Sequence, residues 1–332
     1  MFVSPTRAAA SIALATMFAA GLVAPQRANA QKLLVVNKSG HTLSIVDPTS
    51  RVQLAVIETG FAPHEVAVSP DGRFAYVSDY GTGERAGNTI TVIDVAEARS
   101  LGAISLGDHT RPHGIAVASD GFVWVTTEGS AHLLQVDPRE RRVVRAIETG
   151  QRVTHMVAVA EGAGRAYTAN IGSGNVTAVD AAAGAVLRQI ETGAGAEGID
   201  VSPDGKSVYA TNRAAGTLSE IDVATNEVRR TLAVGDFPIR VKVRPDGREA
   251  LVSNAQGREV VAVDLAQWAV VRRLEVGAMP VGILVTPDNR TAYVANTGDD
   301  KISVIDLVAW ELDGEIVAGD EPDGMAWVSQ SP

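Results

Sequence analysis

The chain has 332 residues, 45% hydrophobic and 20% charged, with a net charge of −10 and no cysteine. This is the composition of a globular domain with ample apolar material for a core. The negative balance disfavours non-specific contact with nucleic-acid phosphates, and the missing thiols exclude disulfides, thiolate metal sites and cysteine nucleophiles.

The chain opens with MFVSPTRAAASIALATMFAAGLVAPQRANAQK, in which Arg7 precedes an apolar run from Ala8 to Ala24 and Ala28, Asn29 and Ala30 form an A-x-A exit. Residues 1–30 therefore read as a secretory signal peptide cleaved after Ala30. The run is too short and Ala-rich for a span, which needs roughly 20 strongly apolar residues. Loss of Arg7 and Arg27 takes the charge from −10 to −12. The mature chain, 31–332, is expected in the periplasm as one domain without a membrane span. Its stability must come from packing alone.

Past Ala30 the sequence repeats. A hydrophobic-Asp mark recurs at Asp47, Asp94, Asp137, Asp180, Asp222, Asp264 and Asp306. A glycine follows each after 13 residues, from Gly60 to Gly319. One clear unit is GAMPVGILVTPDNRTAYVANTGDDKISVIDLVAWELDGEIVAG. It holds four short runs rich in Val, Ile, Tyr and Thr: VGILV (strand A), TAYVAN (B), KISVID (C) and WELDGEIV (D). The turn PDNR, or PDG in sister copies, joins A to B. Four antiparallel strands in about 42 residues is the pattern of a β-propeller blade. The mature start, QKLLVVNKSGHTLSIVD, supplies strands B and C and is followed by a D, while the end, DEPDGMAWVSQSP, supplies a lone A. Together they complete a seventh blade and close the ring, which removes open sheet edges. The expected fold is all-β, a seven-bladed β-propeller of four-stranded antiparallel blades.

The strand B copies AYVSDY, AYTANI, VYATNR and AYVANT, the SPDG turns and the ISVID strands resemble the YVTN-repeat β-propeller family. The resemblance spans the mature chain and extends to YncE-like, lactonase-type and nitrous-oxide-reductase-like propellers. It implies an exported seven-bladed propeller, and for function mainly binding roles, because fold does not fix function.

Insertions into the repeat all fall on the face made by the D–A and B–C loops; the one other departure is a residue lost from the blade 2 A–B turn. Blade 1 carries five extra residues between B and C in DYGTGERAGNT, blade 2 two ahead of strand A in DHTRPHG, and blade 3 one in QRVTHM. Insertions on one face of a repeat protein often mark its binding face. Tyr80 and Arg85 lie in the blade 1 insertion, which reads as a lid or a surface loop. Counting back from the end of strand B aligns His64, His113, His155, Glu197, Ile239, Val281 and Asp323. Strand A is innermost in a propeller, so these seven ring the channel mouth. Three adjacent histidines flanked by Asp323 and Glu197 suit Zn, Cu, Fe or Ni. The ordinary reading, solvated loop histidines, stands beside that one. Arg111 and Arg240 near the mouth are candidates for an anionic ligand. Asp200 and Lys242 read as an inter-blade ion pair, and the seven strand C aspartates as turn-formers.

Three functions follow. The first is a non-enzymatic scaffold that uses this face for a small molecule, a metal ion or a periplasmic protein. The second is a metal-dependent hydrolase or oxidoreductase with metal on His64, His113, His155 and Glu197. The third is a lactonase-like hydrolase. Nothing in the sequence demands chemistry, so the first is preferred.

Overall fold

The computed structural model describes residues 1–2 and 31–329. The signal-peptide reading falls on residues 3–30, outside the described residues. Among the described residues the strands form seven antiparallel four-stranded sheets. Blade 1 has strands A to D at Pro63–Val68, Phe74–Gly81, Ala86–Asp94 and Arg99–Ser105. The A strands of blades 2 to 6 are Pro112–Val117, Thr154–Ala160, Ala196–Val201, Pro238–Val243 and Pro280–Val285. Blade 7 is composite: Pro322–Val328 pairs with Lys32–Asn37, setting Trp327 opposite Leu33 and Ala326 opposite Leu34. Each strand A touches strand A of both neighbouring blades, so the inner strands close a ring.

The core lies between blades. Among the described residues there are seven apolar clusters, one at each blade junction. Between blades 3 and 4, for instance, Met156, Tyr167 and Ala178 meet Ile199, Val208 and Ile221. Strands B and C are covered on both faces and read as near-continuous buried runs, while strand D alternates at the rim. Stacked sheets packed this closely favour Val and Ala, which accounts for the scarcity of aromatics.

The repeat marks acquire physical reasons. Asp47 Oδ1 accepts the amide N–H groups of Thr49 and Ser50, and Asp306 Oδ1 those of Val308 and Ala309. The other five strand C aspartates close the same turn. At Gly60, Gly235 and Gly319 a Cβ would lie 2.4, 2.1 and 2.6 Å from the side chains of Asp79, Asn254 and Asn37, at or near the ends of their B strands. No side chain fits there. Gly107 and Gly150 have open space around them and φ of 65° and 67°; they precede the loops lengthened in blades 2 and 3.

Candidate metal site at the channel mouth

Two devices in every blade, and a third in blades 1, 2, 4 and 5, turn the second residue of strand A into the channel. The residue before strand A is left-handed in all seven blades: Ala62, Arg111, Val153, Gly195, Phe237, Met279 and Glu321, with φ between 44° and 77°. Six are not glycine, and that backbone costs an L-residue about 1–2 kcal/mol. Its carbonyl accepts an amide from the end of strand B or just past it, as from Tyr80 to Ala62, Glu128 to Arg111 and Arg213 to Gly195. The A–B pairing then shifts register at the second or third residue of strand A in blades 1 to 6, with a matching irregularity in blade 7. Bulges of this kind re-aim side chains next to functional sites.

The third device is a strand B hydroxyl. Ser78 Oγ donates to the His113 carbonyl at 2.7 Å, and Thr126 Oγ1 donates to that of His155 at 2.5 Å. Both histidine backbones are thereby pinned by the preceding blade.

The resulting ring holds His64, His113, His155, Glu197, Ile239, Val281 and Asp323. The His64 and His113 ring centroids are 4.5 Å apart, and those of His113 and His155 are 3.7 Å apart. His64 Nδ1 lies 3.1 Å from Asp323 Oδ2. His155 Nδ1 lies 2.5 Å from Glu128 Oε1, whose partner oxygen accepts the Tyr80 hydroxyl at 2.5 Å. Glu197 sits 3.7 Å from His155 Nε2 and 2.9 Å from Arg213 Nη1. His113, Glu128 and His155 each offer a ligand atom, all within 4.8 Å of one another. His113 Nδ1 is buried with no hydrogen-bond partner among the described residues.

The electrostatics follow from burial. Burial first, then the charges of His155 and His64, holds His113 well below its ordinary range, so its imidazole is neutral. Burial would raise Glu128, but the hydrogen bond and charge of His155 and the Tyr80 hydroxyl more than offset it and keep the carboxylate ionised. Burial, with the Glu128 hydrogen bond, pushes the Tyr80 phenol up to about 12. For Asp323 burial is likewise outweighed, by the hydrogen bond and charge of His64 and the charge of Arg240, and its pKa is lowered.

Below this ring lies a layer set by the next residue of strand A. Four blades place glycine there, and a Cβ on Gly114, Gly198, Gly282 or Gly324 would meet the following blade at 2.6 Å or less. The vacated room takes Glu65, Met156 and Arg240 from blades 1, 3 and 5. Arg240 Nη2 binds Glu65 Oε1 across the channel and lies 3.8 Å from Asp323, while Nη1 is buried without a partner among the described residues. Arg240 thus sits one layer deeper than the mouth, as a cross-channel strut. Beneath it the channel opens into a cavity of about 420 Å³ lined by Asp200, Lys242, Met325 and Trp327, among others. The Asp200–Lys242 pair forms at 3.2 Å.

The blade 1 insertion is no loose lid. It lengthens the B–C hairpin, with Gly81 paired to Ala86, and lays Tyr80 against the His64 ring at 4.6 Å. Arg111 stacks on Tyr80 at 5.1 Å and bonds the Thr82 carbonyl. Arg85 turns away toward Phe61, 6.0 Å from its ring.

Glu128 and Arg213 are absent from the sequence reading. Both stand immediately after strand B, as do Ile171, Ala255, Thr297 and Lys38; Tyr80 holds the same register in blade 1, where strand B runs on to Gly81. Side chains at this position reach the next blade: Glu128 to His155, Arg213 to Phe237, and Thr297 to the Pro322 carbonyl. The signal was a second register, one residue past the strand B Asn. It is masked in blade 2, where Thr127 replaces that Asn.

Fold and site together define a seven-bladed β-propeller with a polar, histidine-rich channel mouth. Residues 111–249, which hold His113, Glu128, His155 and Glu197, match the YNCE-like beta-propeller family. Among solved structures, hydrazine synthase of Kuenenia stuttgartiensis is similar, with 21% identity and a TM-score of 0.73 over 87% of this chain and 99% of that one. A functionally unknown protein from Desulfotomaculum acetoxidans is similar with 13% identity and a TM-score of 0.77, over 89% of this chain and 98% of that one. At these identities the likeness is one of fold. No curated protein matches the sequence. Among the described residues no helix is long and apolar enough to cross a membrane.

Proposed function

We propose that the protein is an exported, periplasmic binding propeller whose channel mouth holds a divalent transition metal on His113, His155 and Glu128, with His64 and Glu197 beside them. The supporting observation is the buried, unpartnered Nδ1 of His113 within a group whose ligand atoms lie within 4.8 Å. An unsatisfied buried nitrogen costs about 1–3 kcal/mol, which a metal or a ligand donor removes. Two imidazoles and one carboxylate suit Zn, Cu, Fe or Ni and leave a position for water or a small ligand. Arg111, stacked on Tyr80, and Arg213, paired with Glu197, bring positive charge to the mouth and favour an anionic one.

The test is metal content of untagged protein purified from the periplasm, set against a His113→Ala/Glu128→Gln/His155→Ala variant. Wild type is expected to carry about one more metal equivalent per chain. Equal metal in the two proteins overturns the reading.

A further inference from the structure

All six histidines stand on this one face, in four consecutive blades. His41 is structural: its Nδ1 accepts the Ala62 amide at 3.0 Å and supports the turn into blade 1. Three are at the mouth. His109 and His132 remain. His109 comes from the insertion ahead of strand A in blade 2, and His132 opens strand C of the same blade.

Their ring centroids are 4.6 Å apart, with planes at 57°. Both rings are anchored through Nδ1 on Ser130. His132 Nδ1 lies 2.5 Å from the Ser130 carbonyl oxygen, which can only accept, so Nδ1 carries the hydrogen and Nε2 the lone pair. His109 Nδ1 lies 3.3 Å from Ser130 Oγ, itself held at 2.7 Å by Thr127 Oγ1. Neither Nε2 has a hydrogen-bond partner among the described residues. Metal-binding imidazoles are held in this way, the second nitrogen bonded to a carbonyl or hydroxyl that fixes the ring. Two imidazoles sharing one ion, each nitrogen about 2.0–2.1 Å from it, set their ring centres roughly 4.5–5 Å apart.

The loops are built to meet. The Gly129 amide donates to the Thr110 carbonyl at 3.0 Å, and a Cβ on Gly129 would fall 2.3 Å from Thr110 Oγ1. Any larger residue there would push the loop of His109 away from the turn of His132.

We infer that His109 and His132 form a second divalent transition-metal site, on the rim of blade 2 and separate from the mouth. The turn Glu128–His132 serves both sites, with Glu128 facing inward and His132 outward. This inference does not depend on the mouth holding metal.

The experiment is titration of the metal-stripped, untagged protein with Cu²⁺ alone, followed by calorimetry and electron paramagnetic resonance. His113→Ala/His155→Ala removes the mouth donors and is expected to bind one Cu²⁺ with nitrogen ligation. Adding His109→Ala/His132→Ala to that variant is expected to weaken this binding at least 100-fold. Ser130→Ala is expected to weaken it about tenfold, as for other orienting groups. The inference is overturned if the folded His113→Ala/His155→Ala variant binds no Cu²⁺, or if the further pair leaves its isotherm unchanged. Failure of the mouth reading shows differently, as equal Cu²⁺ stoichiometry in wild type and the His113→Ala/His155→Ala variant.

Discussion

Ser78 reaches across the junction of blades 1 and 2: its hydroxyl donates to the His113 carbonyl at 2.7 Å and accepts the Glu65 amide at 3.1 Å. Thr126 and Thr211 stand at the same register in blades 2 and 4 and make the same pair of bonds. Ser78→Ala leaves a buried carbonyl and amide short of a partner, at a cost of about 1–3 kcal/mol. It also frees the His113 backbone, so metal affinity at the mouth should fall about tenfold. Ser78→Thr should preserve both properties, because threonine already fills this place elsewhere. Denaturant unfolding and metal titration of the two variants check this. Wild-type stability and affinity in Ser78→Ala would show that the bond positions nothing.

Tyr80 acts on the mouth through Glu128. Its hydroxyl fixes the carboxylate whose other oxygen holds His155. Tyr80→Phe keeps the ring against His64 and loses only that hydroxyl. The expected result is a drop of about tenfold in Zn²⁺ affinity, within the range for outer-shell partners of a metal ligand. Glu128→Gln removes the ligand charge itself and should cost more, about 100-fold. Competition with a chromogenic chelator measures both. An unchanged affinity in Glu128→Gln would remove Glu128 from the site.

The fold was legible because each blade repeats one solution: the constant Asp-to-Gly interval reports a turn in every blade and, at Gly60, Gly235 and Gly319, a crossing with no room for a side chain. The ring of His64, His113 and His155 was legible for the same reason: a fixed register carries a fixed direction. Glu128 was hidden because its role depends on a lean across to the next blade, which register within one blade does not express. Arg240 was placed at the mouth by sequence and lies a layer below it. Its depth depends on alternating glycines at the third residue of strand A, and these have meaning only once neighbouring blades are in contact. The blade 1 insertion reads as a loop in sequence, yet it extends an existing hairpin, the less costly outcome for residues already in strand register.

Asp79 occupies a position that is asparagine in five other blades. In four of these the amide donates to strand C hydroxyls, as Asn37 does to Thr42 and Ser44, and Asn254 donates to the Glu259 carboxylate and the Val234 carbonyl. Asp79 instead accepts from Thr89 and Thr91 and from the Gly60 amide. Burial, only partly offset by those bonds, pushes its carboxyl from 3.8 to about 6. The folded state therefore binds this proton more tightly than the unfolded one. The stabilisation is full below about pH 3.8 and lost as pH rises through about 6, leaving a cost of about 3 kcal/mol at neutral pH. Asp79→Asn restores the sister-blade pattern. Its stability relative to wild type should improve by about 3 kcal/mol between about pH 4 and pH 7. Unfolding free energies across that window decide it, and a pH-independent difference would assign the titration elsewhere.

Glu65 and Arg240 join blades 1 and 5 through the centre of the ring, both buried. Burial raises the Glu65 pKa by more than the charge of Arg240 lowers it, so the cation limits the shift without cancelling it. Removing one partner strands a buried charge. Arg240→Met is expected to cost about 3–5 kcal/mol, whereas Glu65→Gln/Arg240→Met, with no charge left unpaired between them, should recover most of it. The single variant should also recover as pH falls, because Glu65 then takes up a proton. A double-mutant cycle in denaturant measures the coupling. Additive losses would mean that the pair contributes no more than its separate contacts, and that the channel is held open by the alternating glycines and blade packing alone.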